Sequence, residues 1–338
     1  MSGTPSQVTP ERIMQFAFGF APPLILEAAL RHRVFDILDS GPKTVEQVSA
    51  ESGASVRGLR AIMNALVALE FLAKDSQQRY SLLPEAAAFL VSTKPGYHGG
   101  FFQHTSAQLI PNWLHLEEIV RTGKPVRSVN QESQGAPFFQ EFVEAIFPLS
   151  YPVAQTLGKA LGVPQAQQPI HVLDLAAGSG VWGIALAQQS PQVRVTAVDW
   201  ADVIPVTRRM AARFGLEDRF RFIAGDLQEV DFGTGYQVAT LGHILHSEGE
   251  ANSRALLRKV YEALAPGGTI AIHEMVANEE HSGPPFAMIF AVNMLVNTEE
   301  GDTYSFGEMS RWLQEAGFVS PRTVEAPSHS PLILAEKA

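Results

Sequence analysis

Four acidic residues and one histidine stand at spacings that suit binding a nucleoside and moving a proton. The apolar run Val172-Leu173-Asp174-Leu175 leads into Ala176-Ala177-Gly178-Ser179-Gly180. Nineteen residues after Gly180, a second apolar run ends in Asp199. A third ends in Ala224-Gly225-Asp226-Leu227. Strand, glycine turn, helix, strand and acid, in that order, hold a nucleoside at the edge of a parallel sheet. Gly178 and Gly180 let the backbone approach the ligand, and Asp199 accepts hydrogen bonds from both ribose hydroxyls. Asp226 is placed to accept from the amino group of a base, with Leu227 packed on the ring and Trp200 over its face. Asp174 closes the first strand, where it organises the glycine loop. Further on, Leu245-His246 follows a fourth apolar run, and Glu274 ends a fifth, 28 residues after His246. A carboxylate on one imidazole nitrogen fixes the tautomer and raises the basicity of the other. Side by side at adjacent strand ends, His246 and Glu274 would remove a proton from a hydroxyl as it attacks an electrophilic methyl group.

The loop reads D-L-A-A-G-S-G and not G-x-G-x-x-G, so it lacks the cradle for a pyrophosphate. That points away from a dinucleotide and toward S-adenosylmethionine. His243 and His246 form H-x-x-H, with Glu248, His273 and Glu274 nearby. Imidazole and carboxylate suit iron or zinc, but this spacing at a strand end does not make side chains converge. No metal is assigned.

These residues need a sheet to position them. From Pro169 strands and helices alternate: strands at 170–175, 193–198, 219–224, 236–241, 268–274, 319–325 and 331–336; helices at 181–189, 201–214, 250–264 and 305–316. This predicts an α/β, doubly wound sheet with its crevice at the carboxyl ends of the strands. Residues 106–160 are aromatic-rich and helical, interrupted by a Gly/Pro/Ser loop over 123–137. Before them, 11–40 reads as helix with a break at Pro22-Pro23. Helices follow at 44–52 and 55–71, then two short strands around Asp75-Ser76-Gln77-Gln78. That order is a winged helix. The domains are therefore 1–105 and 106–338, the second comprising a helical segment (106–160) and the sheet core (161–338).

Composition narrows the function classes. Among 338 residues there is no cysteine, which excludes disulfides, thiol nucleophiles and cysteine zinc sites. The net charge is −10, and residues 1–105 carry nine basic and nine acidic residues. A nucleic-acid surface is not expected. No uninterrupted run of about 18 apolar residues is present, so no membrane span is expected, and the polar start carries no signal peptide. A cytoplasmic location is the default.

From Arg12 onward the chain resembles the S-adenosylmethionine-dependent O-methyltransferases of the caffeate, hydroxyindole and antibiotic-tailoring type. The motifs that carry the resemblance are D-L-A-A-G-S-G, A-V-D-W, A-G-D-L, I-L-H-S-E-G-E and the following L-L-R-K-V-Y-E-A-L-A-P-G-G. It implies a class I methyltransferase (Rossmann-like) domain behind a winged-helix dimerisation domain, and a homodimer. It implies a general base at His246 supported by Glu274, and cofactor acids at Asp199 and Asp226. It implies a small, flat, apolar acceptor in a pocket lined by Phe142, Met288, Asn293, Met294 and Asn297. Three features depart from the family. Ser247-Glu248 replaces Asp-Trp, Gly242 stands where plant members carry a lysine, and Thr303 takes the place of the family's second acid, with Asp302 beside it. Methylation of carbon or nitrogen, or a rearrangement on a scaffold using the cofactor non-reactively, stays open.

Overall fold

Thr44 opens a helix as its side chain predicts. It accepts from the Gln47 N–H, while Gln47 accepts from the Thr44 N–H at 2.8 Å. Gly53 ends that helix in the left-handed region, φ 74°. The computed structural model describes residues 8–129 and 132–338, and the chain divides into two compact units between Leu109 and Ile110. The boundary falls four residues beyond the expected one, because the helix Gly99–His104 continues through a π-helical turn, Thr105–Leu109.

The first unit comprises α1 (Glu11–Ala17), α2 (Ala21–Arg31), α3 (Val34–Asp39), β1 (Lys43–Thr44), α4 (Val45–Ser52), α5 (Val56–Ala68), β2 (Leu72–Lys74), β3 (Arg79–Leu82), α6 (Pro84–Phe89) and α7 (Gly99–His104). The expected wing is β2 and β3, joined where Asp75 Oδ1 accepts from the Gln77 and Arg79 N–H groups. β1 adds a third strand to it. Two residues are too few to leave a periodic signal. Phe35, Leu59, Met63, Leu66, Leu72 and Tyr80 are fully buried in this unit's core.

The first break differs from expectation. It lies at Phe18–Phe20, and Pro22-Pro23 sits in the first turn of α2, where a missing N–H costs nothing. By length and composition Glu11–Arg31 is enough to cross a membrane, although Glu11, Arg12, Glu27 and Arg31 interrupt it. Two positions account for that apolarity. Leu26, Ala29 and Leu30 enter the core, while Phe16, Phe18 and Phe20 are 60–74% exposed.

The second unit comprises α8 (Ile110–Trp113), α9 (Leu116–Thr122), α10 (Glu132–Ala160), β4 (Ile170–Leu175), α11 (Val181–Gln189), β5 (Val193–Asp199), α12 (Ile204–Arg213), β6 (Phe220–Ala224), β7 (Tyr236–Gly242), α13 (Leu245–Ala263), β8 (Leu264–His273), α14 (Pro285–Asn297), α15 (Phe306–Ala316), β9 (Phe318–Val324) and β10 (Leu332–Lys337). Seven strands run in the order β6-β5-β4-β7-β8-β10-β9, parallel except for β10, which is antiparallel to both neighbours. One face is covered by α10 and α11 through Phe147, Leu157, Ile184 and Leu186. The other is covered by α13 and α15 through Leu256, Val260, Met309 and Trp312. Burial on both faces is why β4 and β7 read as continuous apolar runs.

Three boundaries move. α10 begins at Glu132, inside the segment expected to be loop. β8 begins at Leu264, since a register shift opposite Tyr236–Val238 absorbs Ala265-Pro266-Gly267-Gly268. α13 begins at Leu245 with a non-helical Gly249 (φ 75°, ψ 166°) separating its first turn from the rest. Strand order reverses between β4 and β7, which places the ligand crevice there.

Candidate active site

Asp199 ties the glycine loop to the sheet. Its Oδ2 accepts from the Gly178 N–H at 2.7 Å and its Oδ1 from the Trp200 N–H at 2.7 Å. Gly178 and Gly180 have φ of 55° and 72°, a region that favours glycine. A Cβ on Gly178 would come within 3.0 Å of Val143. Thr207 Oγ1 donates to the Gly178 carbonyl. Trp200 is half-buried, edge-on to Phe139 at 5.9 Å. Asp226 is exposed and accepts from the Gln228 N–H at 2.7 Å.

Two expectations on this side change. Asp174 is fully buried, so it does not line the groove. Its Oδ2 accepts from the Gly183 N–H and its Oδ1 from the Thr240 hydroxyl, which joins α11 to β4 and β7 from below. Burial pushes its carboxyl up to about 7 against those two hydrogen bonds. Leu227 is 8% exposed and packs into the sheet core beside Leu173, not into an open groove. Asp174→Ala would leave the Gly183 N–H unpaired and buried, and the Thr240 hydroxyl with only its long 3.5 Å contact to the Leu173 carbonyl. The expected loss is about 2 kcal/mol or more, read from urea denaturation.

The structure brings His246 and Glu274 together. His246 Nδ1 lies 2.6 Å from Glu274 Oε2, with side-chain exposures of 12% and 3%. Glu274 Oε1 accepts from the Leu245 N–H at 2.7 Å and more weakly from the His246 N–H. Burial works to raise the Glu274 carboxyl, but the His246 ring, with the His243 ring and the Leu245 N–H, holds it below the usual range. An ionised carboxylate only accepts, so Nδ1 carries the proton and Nε2 is left as the acceptor.

A second pair lies beside this one. His273 Nδ1 meets His243 Nε2 at 3.1 Å, and His273 Nε2 meets Ser328 Oγ at 3.0 Å. Ser328 Oγ donates to the Ser330 carbonyl, so it accepts from His273 Nε2–H. His273 Nδ1 must then accept from His243 Nε2–H. Burial pushes His243 down to about 3, reinforced by His273, and burial lowers His273 too. Burial therefore favours the neutral form of both rings. Atoms of His243, His246 and Glu274 lie within 4.8 Å of one another, the one such group among the described residues. Ligands on one zinc stand about 3.4 Å apart at bonds of ~2.1 Å. Hydrogen bonds hold this cluster, and no metal is assigned to it.

A family model for the O-methyltransferase domain matches residues 113–319, and one for the O-methyltransferase dimerisation domain matches residues 14–92. The chain belongs to the O-methyltransferase family. This O-methyltransferase is 28% identical to the tetracenomycin polyketide synthesis 8-O-methyl transferase of Streptomyces glaucescens, over 97% of each chain. It is 29% identical to the 3-hydroxy-5-methyl-1-naphthoate 3-O-methyltransferase of Streptomyces sahachiroi, over 97% of this chain and 95% of the relative. The solved structure of PigF with SAH superposes with a TM-score of 0.83 at 25% identity, covering 98% of this chain and all of the other.

In this O-methyltransferase the segment after β8 builds a wall beside His246. Phe290 meets the His246 ring edge-on at 5.0 Å. Met288 and Asn293 are half-buried. Asn293 Oδ1 accepts from Trp113 Nε1 at 2.9 Å and from Asn297 Nδ2. Asn297 is 2% exposed and also accepts from Asn112 Nδ2, so it ties α14 to α8 and does not face a pocket. Met294 is 5% exposed and is likewise internal. Phe142 is half-buried in a ring cluster with Phe138 and Phe139. The departures also resolve. Asp302 is exposed, and its backbone N–H, not its carboxylate, meets the His246 carbonyl at 2.9 Å. Thr303 is buried and directs its hydroxyl to the Ala287 carbonyl. The parts played by Asn112 and Trp113 were not legible in the sequence, because they come from contacts with the distant helix α14.

Proposed function

We propose that this enzyme transfers a methyl group from S-adenosylmethionine to a hydroxyl of a small aromatic acceptor, with His246 as general base. The observation that carries this reading is the buried 2.6 Å contact between His246 and Glu274 at adjacent strand ends. Glu274 holds Nδ1–H, which directs the Nε2 lone pair outward. Nε2 takes the hydroxyl proton as the oxygen forms its bond to the methyl carbon and the carbon–sulfur bond breaks, its electron pair going to sulfur and S-adenosylhomocysteine leaving.

The residues at the strand ends fit the cofactor. Asp199 keeps its carboxylate half-buried and anchored by two backbone N–H groups, leaving lone pairs for the ribose hydroxyls. Asp226 stands at the next strand end for the base, with Trp200 beside it. Bound S-adenosylmethionine supplies the electrophilic methyl group. PigF was solved with SAH, and one named relative is a 3-O-methyltransferase of a hydroxynaphthoate, which supports both cofactor and acceptor class. Phe290 and Met288 give the acceptor an apolar wall. The dimerisation domain and the exposed Phe16, Phe18 and Phe20 support a homodimer.

The test is incubation with methyl-labelled S-adenosylmethionine and a panel of hydroxylated naphthoates and tetracyclic phenols, followed by mass spectrometry. Label on oxygen with formation of S-adenosylhomocysteine is expected. Label on carbon, or conversion of an acceptor without S-adenosylhomocysteine, would overturn it.

A further inference from the structure

Trp182 has no part in the dyad or the nucleoside contacts, yet it occupies the crevice. It is the second residue of α11, 4% exposed, and its ring centroid lies 5.7 Å from His273. Gly242 ends β7 next to the end of β4, at the point where strand order reverses. A Cβ on Gly242 would stand 1.9 Å from Trp182 Nε1 and 2.5 Å from Cε2. Gly242 does not have a positive φ. Its lack of a side chain therefore serves space and not backbone conformation, and the space is filled by the polar edge of the indole.

That edge is a donor without an acceptor. Among the described residues nothing accepts from Trp182 Nε1, and unlike Trp312 Nε1 it is not sealed from solvent. Trp182 belongs to the buried core cluster, and its indole lies tilted against the His273 ring. With the nucleoside held by Asp199 and Asp226 at the ends of β5 and β6, the rest of the cofactor runs past β4 toward β7. The groups it carries there are a carboxylate and an ammonium. An indole N–H donates only, so it suits the carboxylate.

We propose that Trp182 Nε1–H binds the carboxylate of the cofactor's amino-acid part, and that Gly242 is glycine to admit it. This rests on the cofactor placement given above. It also accounts for a strand end with no side chain of its own facing that carboxylate.

The experiment is calorimetric titration of the full chain with S-adenosylhomocysteine and with 5′-methylthioadenosine, which keeps the nucleoside and thioether but lacks the amino-acid part. Trp182→Phe keeps most of the ring volume and removes the N–H. It should weaken S-adenosylhomocysteine about tenfold or more, as for a lost hydrogen bond to a charged group, and leave methylthioadenosine within about twofold. Gly242→Ala, which forces the indole aside without altering its chemistry, should give the same selective loss. It carries the test if the phenylalanine variant folds poorly. Equal weakening of both ligands would mean packing alone, and unchanged S-adenosylhomocysteine affinity would mean no contact; either overturns the proposal. A parent protein that binds neither ligand overturns the cofactor placement as well. Binding of methylthioadenosine alone by the parent overturns only the carboxylate contact.

Discussion

His246→Ala is expected to turn over at least about a hundredfold more slowly than the parent enzyme, the usual scale for losing a positioned base. The effect should fall on kcat, with S-adenosylhomocysteine affinity unchanged. The backbone N–H groups of Leu245 and residue 246 still reach Glu274 Oε1 in this variant, so the strand end keeps its anchor. Glu274→Gln is a sharper probe of the same device. Glu274 accepts on both oxygens, from backbone at one and from the imidazole at the other. A glutamine amide has a single acceptor oxygen, so one of those donors must face an NH2 group. The expected result is a large fall in kcat together with a lower melting temperature. Near-normal turnover by His246→Ala, measured with the true acceptor under saturating cofactor, would remove the base role and leave only the scaffold.

Asp199→Ala is expected to weaken S-adenosylhomocysteine binding at least about a hundredfold. Two charge-assisted hydrogen bonds to a ribose are worth about 1.5–3 kcal/mol each, and every 1.4 kcal/mol is about tenfold. The carboxylate also holds Gly178 and Trp200 in place, so its removal loosens the loop that the ligand lies on. Asp199→Asn should sit between the two, because the amide keeps one acceptor oxygen and loses the other. Calorimetry on the purified variants reads both. Parent-like affinity in the alanine variant would move the cofactor away from the end of β5.

Strand ends were the legible part of this chain. A buried strand leaves a continuous apolar run, and an acid that closes it stands out. Asp174, Asp199, Asp226 and Glu274 were all found that way. What the pattern does not reveal is which way such an acid faces. Asp174 looks like its neighbours in sequence but turns under the sheet to Gly183 and Thr240. Helix α14 shows the same limit. Its apolar and amide residues suited a pocket wall on every turn, but Asn297 and Met294 are internal, and the amide is spent on Asn112 and Asn293. Trp182 and Gly242 are 60 positions apart in sequence, and only the fold reveals that one fills the other's space. Short or strained pieces were also invisible: β1 has two residues, and the first turn of α13 is set apart by Gly249.

The polarity of the histidine pair bears on how the enzyme resets. From His243 Nε2–H through His273 and Ser328, every hydrogen bond points the same way and stops at the Ser330 carbonyl. A backbone carbonyl cannot hand a proton on, so the line is a dead end and not a relay. On the proposed mechanism, the proton taken up by His246 in each turnover would therefore leave from His246 itself. Its side chain is 12% exposed, while Glu274 behind it is nearly sealed. The route out is thus the face by which the acceptor arrives. With His246 as the base, discharge of the imidazole and departure of the methylated product would share one doorway, and recharging would wait until the pocket empties.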